Sequence, residues 1–242
     1  MSHQMNQFCT FSVVIPIYNE AENIEPLFHE LKAVMNELAK PWEVIFVDDG
    51  SKDTSVAIIE NLKKSNDAIV LIRFKKNAGQ TAAFDAGFKA AKGNFVITLD
   101  GDGQNCPYDI PKLVAIAETG YDLVAGKRRV RNDSIIKRSI SRAANSIRSK
   151  ILHDNVTDTG CSLKVYRKES LAQIRLYKGM HRFLPALFAI EGFKVIEVVV
   201  DHRPRLKGVS KYGIFNRGLS LLTDLWAVLW MKRRHLYYEV EK

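Results

Sequence analysis

The first half of the chain alternates between short apolar runs and longer stretches with apolar residues at helical spacing. Ser12 to Ile17, Glu43 to Val47, Ala68 to Phe74, Phe95 to Leu99 and Tyr121 to Ala125 are short, mostly β-branched and bounded by polar residues. That pattern reads as buried strands. The intervening periodicity predicts helices over about Asn23 to Ala39, from a cap at Asp53 to about Lys64, over Thr81 to Ala91 and over Asp109 to Thr119. Gly93 is placed to end the third helix. Strands alternating with helices of this length predict an α/β fold, a mostly parallel Rossmann-like sheet with helices on both faces.

In such sheets ligands bind beyond the carboxyl ends of the strands. Those ends carry Tyr18 and Glu20, Asp48 and Asp49, Asp100 and Asp102, then Lys127 and Arg128; five of the eight are carboxylates. An isolated D-x-D is an ordinary polar turn, but a row of acids along one sheet edge defines a site. In extended chain, residues two apart point the same way, so Asp100, Asp102 and Gln104 are expected to converge. Carboxylates that close repel unless a cation sits between them. Oxygen ligands at this spacing suit Mg²⁺ or Mn²⁺. Neither G-x-G-x-x-G after the first strand nor G-x-x-x-x-G-K-[ST] occurs, so a metal is the natural neutraliser of a bound diphosphate.

Composition narrows the class. At 242 residues, 46% hydrophobic and 26% charged, the chain can bury a sizeable core. One catalytic domain with a C-terminal extension is expected. Cys9, Cys106 and Cys161 form no C-x-x-C, which argues against a disulfide framework or zinc and for a reducing compartment. Cys161 beside Gly160 reads as a small packed residue, and His153, His181 and His202 show no ligand spacing. The first residues lack the charged and apolar regions of a signal peptide, and no apolar run of about 18 residues suggests a membrane span. The net charge of +9 is divided: residues 1–126 hold 11 Lys/Arg against 17 Asp/Glu, and residues 127–242 hold 25 against 10. A uniformly basic nucleic-acid binder would not look like this. An acidic half followed by a basic half fits a cation-dependent site and then a surface meeting an anion.

VVIPIYNEAENI, VIFVDDGSKDTS, KNAGQTAAFDAGFKAAKGNFVITLDGDGQ and KGVSKY together resemble the family 2 glycosyltransferases, and more closely their polyprenyl-phosphate glycosyltransferases. The resemblance spans roughly residues 10–230. It implies a GT-A fold, a UDP- or GDP-sugar donor and inversion at the sugar carbon. By the same resemblance Pro16, Tyr18, Glu20 and Asp48 line the base and ribose pocket, Asp100 contacts the donor, and Asp102 and Gln104 hold the metal. Pro16 as a mere strand irregularity and Tyr18 as core stay open as alternatives. Asp49 and Asp53 read as turn or cap residues. Family members commonly read D-A-D-x-Q-[DH]-P, whereas this chain has Gly101, Gly103, Asn105 and Cys106 before Pro107. Asn105 removes a possible extra acid, and the two glycines are expected to loosen the backbone.

Acceptor chemistry falls in the second half. Ser134 to Leu152 carries an apolar stripe through Ile136, Ile140, Ala143, Ile147 and Ile151, opposite a face bearing Arg138, Arg142, Asn145 and Ser149. The resemblance assigns Arg128, Arg142 and Ser146 to a lipid phosphate. It places Arg182, Arg205, Ser210 and Lys211 near the active site, with Gly208 in a loop able to close. Asp158-Thr159-Gly160 matches a turn that shapes the site. A phosphate acceptor, with a second pKa of about 6, needs no dedicated base. The catalytic set that the resemblance implies is Asp100, Asp102, Arg128 and Arg142, with Arg205 and Lys211 added for the acceptor phosphate.

The last periodic segment, about Ile214 to Met231, places Phe215, Leu219, Leu222, Trp226 and Leu229 or Trp230 on one face, followed by Lys232-Arg233-Arg234. Tryptophans beside a basic cluster suit the interface of an anionic membrane. The alternative is a helix against the catalytic domain or in a dimer. Many relatives continue into transmembrane helices. The expected organisation is a catalytic domain over 1–212, divided at 126 into donor and acceptor halves, and an amphipathic extension over 213–242. The expected location is the cytoplasmic membrane face, held peripherally, through an integral-membrane partner or as a homo-oligomer. Two other classes stay open: a soluble transferase acting on a saccharide hydroxyl with Asp158 as base, and a non-catalytic GT-A partner protein.

Overall fold

The computed structural model describes residues 9–129, 148, 152, 156–204, 215–236 and 238. Among them seven strands form one sheet. β1 (Phe11–Ile17), β2 (Trp42–Asp48), β3 (Ile69–Arg73) and β4 (Phe95–Thr98) alternate with α1 (Ala21–Glu37), α2 (Ser55–Lys63) and α3 (Gln80–Ala90). A 3₁₀ turn at Pro107–Asp109 leads into α4 (Ile110–Glu118) and then β5 (Leu123–Arg128). All five expected strands and four expected helices are present, displaced by a few residues.

Beyond the alternating pattern lie β6 (Lys164–Arg167), α5 (Lys168–Leu171), a 3₁₀ turn at Met180–Phe183, α6 (Leu184–Ile190), β7 (Val195–Val200) and α7 (Phe215–Arg234). The sheet order is β3-β2-β1-β4-β6-β5-β7. Six strands run one way; β6 is antiparallel to both β4 and β5. The sheet is therefore mostly parallel with one reversed strand, inserted where the site is built.

Apolar clusters cover both faces. One gathers Val13, Ile15 and Ile17 of β1 with Ile24, Phe28 and Leu31 of α1 and Leu113 of α4. The other sets Val14, Ile45 and Val96 against Phe84 of α3 and Leu184 and Phe188 around α6. Alternate residues of one strand thus enter opposite cores, as a two-sided sheet requires. A third cluster joins Met180, Phe183, Ala186 and Leu187 to Val228 of α7.

Two sequence expectations change here. Gly93 does not cap α3, whose final turn passes into extended backbone at Ala91 (ψ 131°). Its function is close approach: a Cβ there would lie 2.6 Å from the backbone of Phe11 and Ser12. Pro16 sits inside β1 opposite Val47. It is tolerated because the ladder to β4 has already ended at Val14 and Thr98.

Candidate active site

The carboxyl ends of β1, β2, β4 and β5 open on one edge, and loops stitched to one another hold the polar groups there. After β1 the chain turns at Asn19 (φ 52°), whose N–H donates to Ser51 Oγ (2.9 Å) and whose Oδ1 accepts Lys52 N–H (2.7 Å). Glu20 N–H donates to Ser55 Oγ at 3.0 Å. Asp53 does not serve as the side-chain cap residue itself. It accepts Ser55 N–H (3.0 Å) and Ala21 N–H (3.2 Å), tying the starts of α1 and α2 together. Asp48 is 2% exposed and accepts Ser51 N–H with both oxygens, at 3.2 and 3.3 Å. Pro16, Tyr18 and Glu20 are half-buried beside it.

Asp49 is a turn residue, as expected, and a demanding one. Its oxygens accept Asn77 Nδ2 (2.9 Å), Ala78 N–H (2.6 Å) and Gly79 N–H (2.9 Å), which fixes the loop entering α3. Burial pushes its carboxyl up, partly offset by those two N–H donors.

After Thr98 the chain leaves the sheet and turns at Gly101 and Asp102. Asp100, Asp102 and Gln104 therefore do not converge by extended alternation; a turn brings them to the edge. Gly101 does not loosen the backbone. A Cβ there would come 2.7 Å from Ile17 Cδ1 and 3.0 Å from the Pro16 carbonyl, so glycine lets the turn press against the end of β1. Gly103 adopts φ 70°, which glycine accepts without strain. Asn105 is a structural residue, 3% exposed, whose Oδ1 accepts Asp100 N–H (3.0 Å) and Ser162 Oγ–H (2.8 Å).

Asp100 receives Gln80 Nε2 at 2.8 Å. Its carboxyl is raised to about 6, first by burial and then by Asp102, against the opposing pull of Ser162, Lys164 and Arg128. Asp102 is 9% exposed and accepts Gln104 N–H at 3.1 Å. Gln104 Nε2 faces the Arg203 carbonyl at 3.3 Å and His202 Nε2 at 3.4 Å. A carbonyl can only accept, so the amide nitrogen belongs on that side and Oε1 is the atom left for a cation. Among the described residues no three His, Cys, Asp or Glu side chains cluster to hold a metal. One carboxylate and one amide oxygen, completed by substrate phosphates, fit the sparse protein coordination of Mg²⁺.

Opposite stands a buried charge cluster. Arg128, at the end of β5, forks onto Asp158 through Nε and Nη2, both at 2.8 Å, and Asp158 also accepts Arg128 N–H at 3.2 Å. Gly160 leaves room for that guanidinium, since a Cβ would lie 2.9 Å from Nη2. Glu197 accepts Asp158 N–H at 2.7 Å, fixing the turn to β7. Lys164 of β6, 4% exposed, donates to the Cys161 carbonyl. Burial lowers its pKa, while Cys161, Asp100 and Asp158 oppose the shift. Cys161 is 1% exposed and burial pushes its thiol up to about 11, so it is the packed residue expected rather than a nucleophile.

Arg142, Ser146, Arg205 and Lys211, with the Ser134 to Leu152 segment apart from residues 148 and 152, lie outside the described residues. Sequence reasoning missed Gln80, Ser162 and Lys164. None carries a local signal, because their proximity to Asp100 depends on where α3 and the reversed strand land. The His181 Nδ1 lies 2.7 Å from Thr81 Oγ1.

A mostly parallel sheet without a glycine phosphate cradle, with an Asp-x-Asp-x-Gln turn at its edge and one reversed strand beside it, defines the GT-A class of nucleotide-sugar enzymes. The sequence profile of glycosyl transferase family 2 matches residues 12–175, and the chain belongs to that family. It is 39% identical over 232 residues to the dodecaprenyl-phosphate galacturonate synthase of Rhizobium johnstonii, covering 94% of this chain and 68% of that protein. It is 37% identical over 215 residues to the undecaprenyl-phosphate 4-deoxy-4-formamido-L-arabinose transferase of Salmonella paratyphi A, covering 88% of this chain and 65% of that protein. The chain thus spans about two thirds of these relatives. Among solved structures, glucosyl-3-phosphoglycerate synthase of Mycobacterium tuberculosis with Mn²⁺, UDP and phosphoglyceric acid superposes with a TM-score of 0.69 at 17% identity. That match covers 96% of this chain and 81% of the other. At that identity the likeness supports the fold.

Proposed function

We propose that this chain is an inverting glycosyltransferase that moves a sugar from a UDP- or GDP-sugar to a polyprenyl phosphate. The observation that carries the reading is the meeting of the Asp48, Asp100, Asp102 and Gln104 edge with Arg128 at one sheet end. The names of the two polyprenyl-phosphate relatives supply the acceptor class. Pro16, Tyr18, Glu20 and Asp48 bind the nucleoside, and Asp100 contacts the donor. Asp102 and Gln104 Oε1 would hold Mg²⁺ or Mn²⁺, which when bound supplies positive charge for the departing diphosphate.

A phosphate oxygen of the acceptor attacks the anomeric carbon while the bond from that carbon to the diphosphate oxygen breaks. The nucleoside diphosphate leaves with the bonding pair, and no proton has to be removed. Arg128, Arg142, Ser146, Arg205 and Lys211 hold the acceptor phosphate in line. The saccharide-hydroxyl alternative is disfavoured by Asp158, its candidate base. That carboxylate is 5% exposed and forked by Arg128, a poor arrangement for taking a proton. Intact Asp100, Asp102 and Gln104 argue against a non-catalytic role.

The extension beyond about residue 212 serves the membrane. α7 contacts the domain through Val228, with Leu225, Leu229 and Met231 half-buried, while Trp226 and Trp230 are 69% and 53% exposed. Of the expected apolar face, Leu229 turns inward beside Val228 while Trp226 and Trp230 turn outward, beside exposed Arg233 and Arg234. That outward face suits peripheral attachment to an anionic bilayer on the cytoplasmic side. No helix among the described residues is long and apolar enough to cross a membrane. The test offers a panel of UDP- and GDP-sugars with polyprenyl phosphate and follows labelled sugar into the lipid phase. Label appearing there with one donor supports the reading; transfer only to soluble saccharides overturns it.

A further inference from the structure

We propose that Gln80 is a positioning residue for Asp100, holding its carboxyl in the orientation that meets the donor; the inference rests on Asp100 contacting the donor. Gln80 is the first residue of α3 and reaches across to give Nε2–H to Asp100 Oδ1 at 2.8 Å. The Ser162 hydroxyl borders the same carboxyl from the segment before β6, and Asn105 holds the Asp100 N–H at 3.0 Å. The carboxyl is therefore bracketed by two elements far apart in sequence.

Gln80 is itself held from both sides. On one side Asp49 accepts from Asn77, Ala78 and Gly79, so the backbone entering α3 has little freedom. On the other, Thr81 is 7% exposed. Its Oγ1 accepts Gly179 N–H at 3.0 Å and lies 2.7 Å from His181 Nδ1. A long, flexible side chain flanked by two fixed neighbours is a guide rather than a chance surface contact. Placement at the start of a helix also matters for the choice of residue. The positive end of the α3 dipole favours the anion it faces, and a neutral amide adds a donor without a second charge.

The experiment compares Gln80→Leu and Gln80→Lys with the unmodified chain in the labelled-sugar assay, beside melting temperatures. Leucine removes the donor and keeps comparable bulk. We expect kcat to fall about tenfold or more, the loss of a hydrogen bond to a charged group, with a smaller change in the donor KM and a melting temperature within a few degrees. Lysine returns an N–H donor to Asp100 and should recover most of kcat. A merely structural role predicts the opposite order, because a cation at the first position of a helix opposes its dipole. Wild-type kcat in Gln80→Leu, or Gln80→Lys no better than Gln80→Leu, overturns the proposal. Asp100→Asn separates the two levels. If it transfers at the wild-type rate, the donor role of Asp100 falls; if it is silent while Gln80→Leu is normal, only the role of Gln80 falls.

Discussion

Asp100→Asn should make the metal-free protein more stable while it removes transfer. The Asp100 carboxyl is raised to about 6 from an ordinary 3.8, with burial the largest cause and Asp102 the next. The folded state then holds this proton more tightly than the unfolded chain. As pH rises the unfolded chain releases its proton first, so stability falls between about pH 4 and pH 6 and is level above. The gap of about two units corresponds to about 3 kcal/mol at neutral pH, an upper figure since the residue is partly exposed. Asparagine has no such cost, and the site can satisfy it. Its oxygen would accept from Gln80 Nε2 as Asp100 Oδ1 does now. Its amide would donate to Ser162 Oγ, whose own hydrogen is directed to Asn105 Oδ1.

The assay is thermal unfolding of both proteins in chelator across pH 4 to 8. For a domain of this size about 1 kcal/mol moves the melting temperature by about 2–4 °C, so the variant should melt several degrees higher at pH 7.5. The two curves should approach each other near pH 4. A variant that melts at or below the wild type at pH 7.5, or a difference that does not change with pH, would refute the reasoning. Loss of transfer in the stabilised variant would mark Asp100 as a residue kept at a cost to the fold.

Four further variants have expected outcomes. Asp102→Asn should fold and yet fail to bind Mn²⁺ in a calorimetric titration, and chelator should silence the wild type until Mg²⁺ or Mn²⁺ is restored. Gly93→Ala should lower stability by about 1–3 kcal/mol in urea titration, because its Cβ meets the Phe11 and Ser12 backbone at 2.6 Å. Arg142→Ala should lower lipid transfer steeply even in detergent. Lys232 is half-buried and donates to the Leu152 carbonyl at 2.7 Å, so of the expected basic run only Arg233 and Arg234 face outward; neutralising those two should spare detergent activity and weaken flotation with anionic vesicles, by roughly 1 kcal/mol per charge and less at high salt.

What the sequence made legible was local. A strand of β-branched residues ending in an acid announces both the element and the sheet edge, so Asp48, Asp100 and Asp102 could be placed before any coordinates. What stayed hidden depends on pairing across long separations. Lys164-Val165-Tyr166-Arg167 is too short and too polar to read as a central strand, yet it lies between β4 and β5 and buries Lys164. Reversal of that strand brings Ser162 under Asp100, and no periodicity in the chain encodes the meeting. The turn at Gly101 makes the same point at smaller scale. Alternation named the residues that would gather, but the cause is a glycine whose missing Cβ lets the turn reach Pro16 and Ile17. In α7 the tryptophans and aliphatic residues looked equivalent by hydropathy, and only the packing of Val228 into the cluster around Met180, Phe183 and Leu187 decides which of them turns inward. Chemistry confined to strand ends can therefore be read directly, whereas the residues that orient it come from wherever the fold returns.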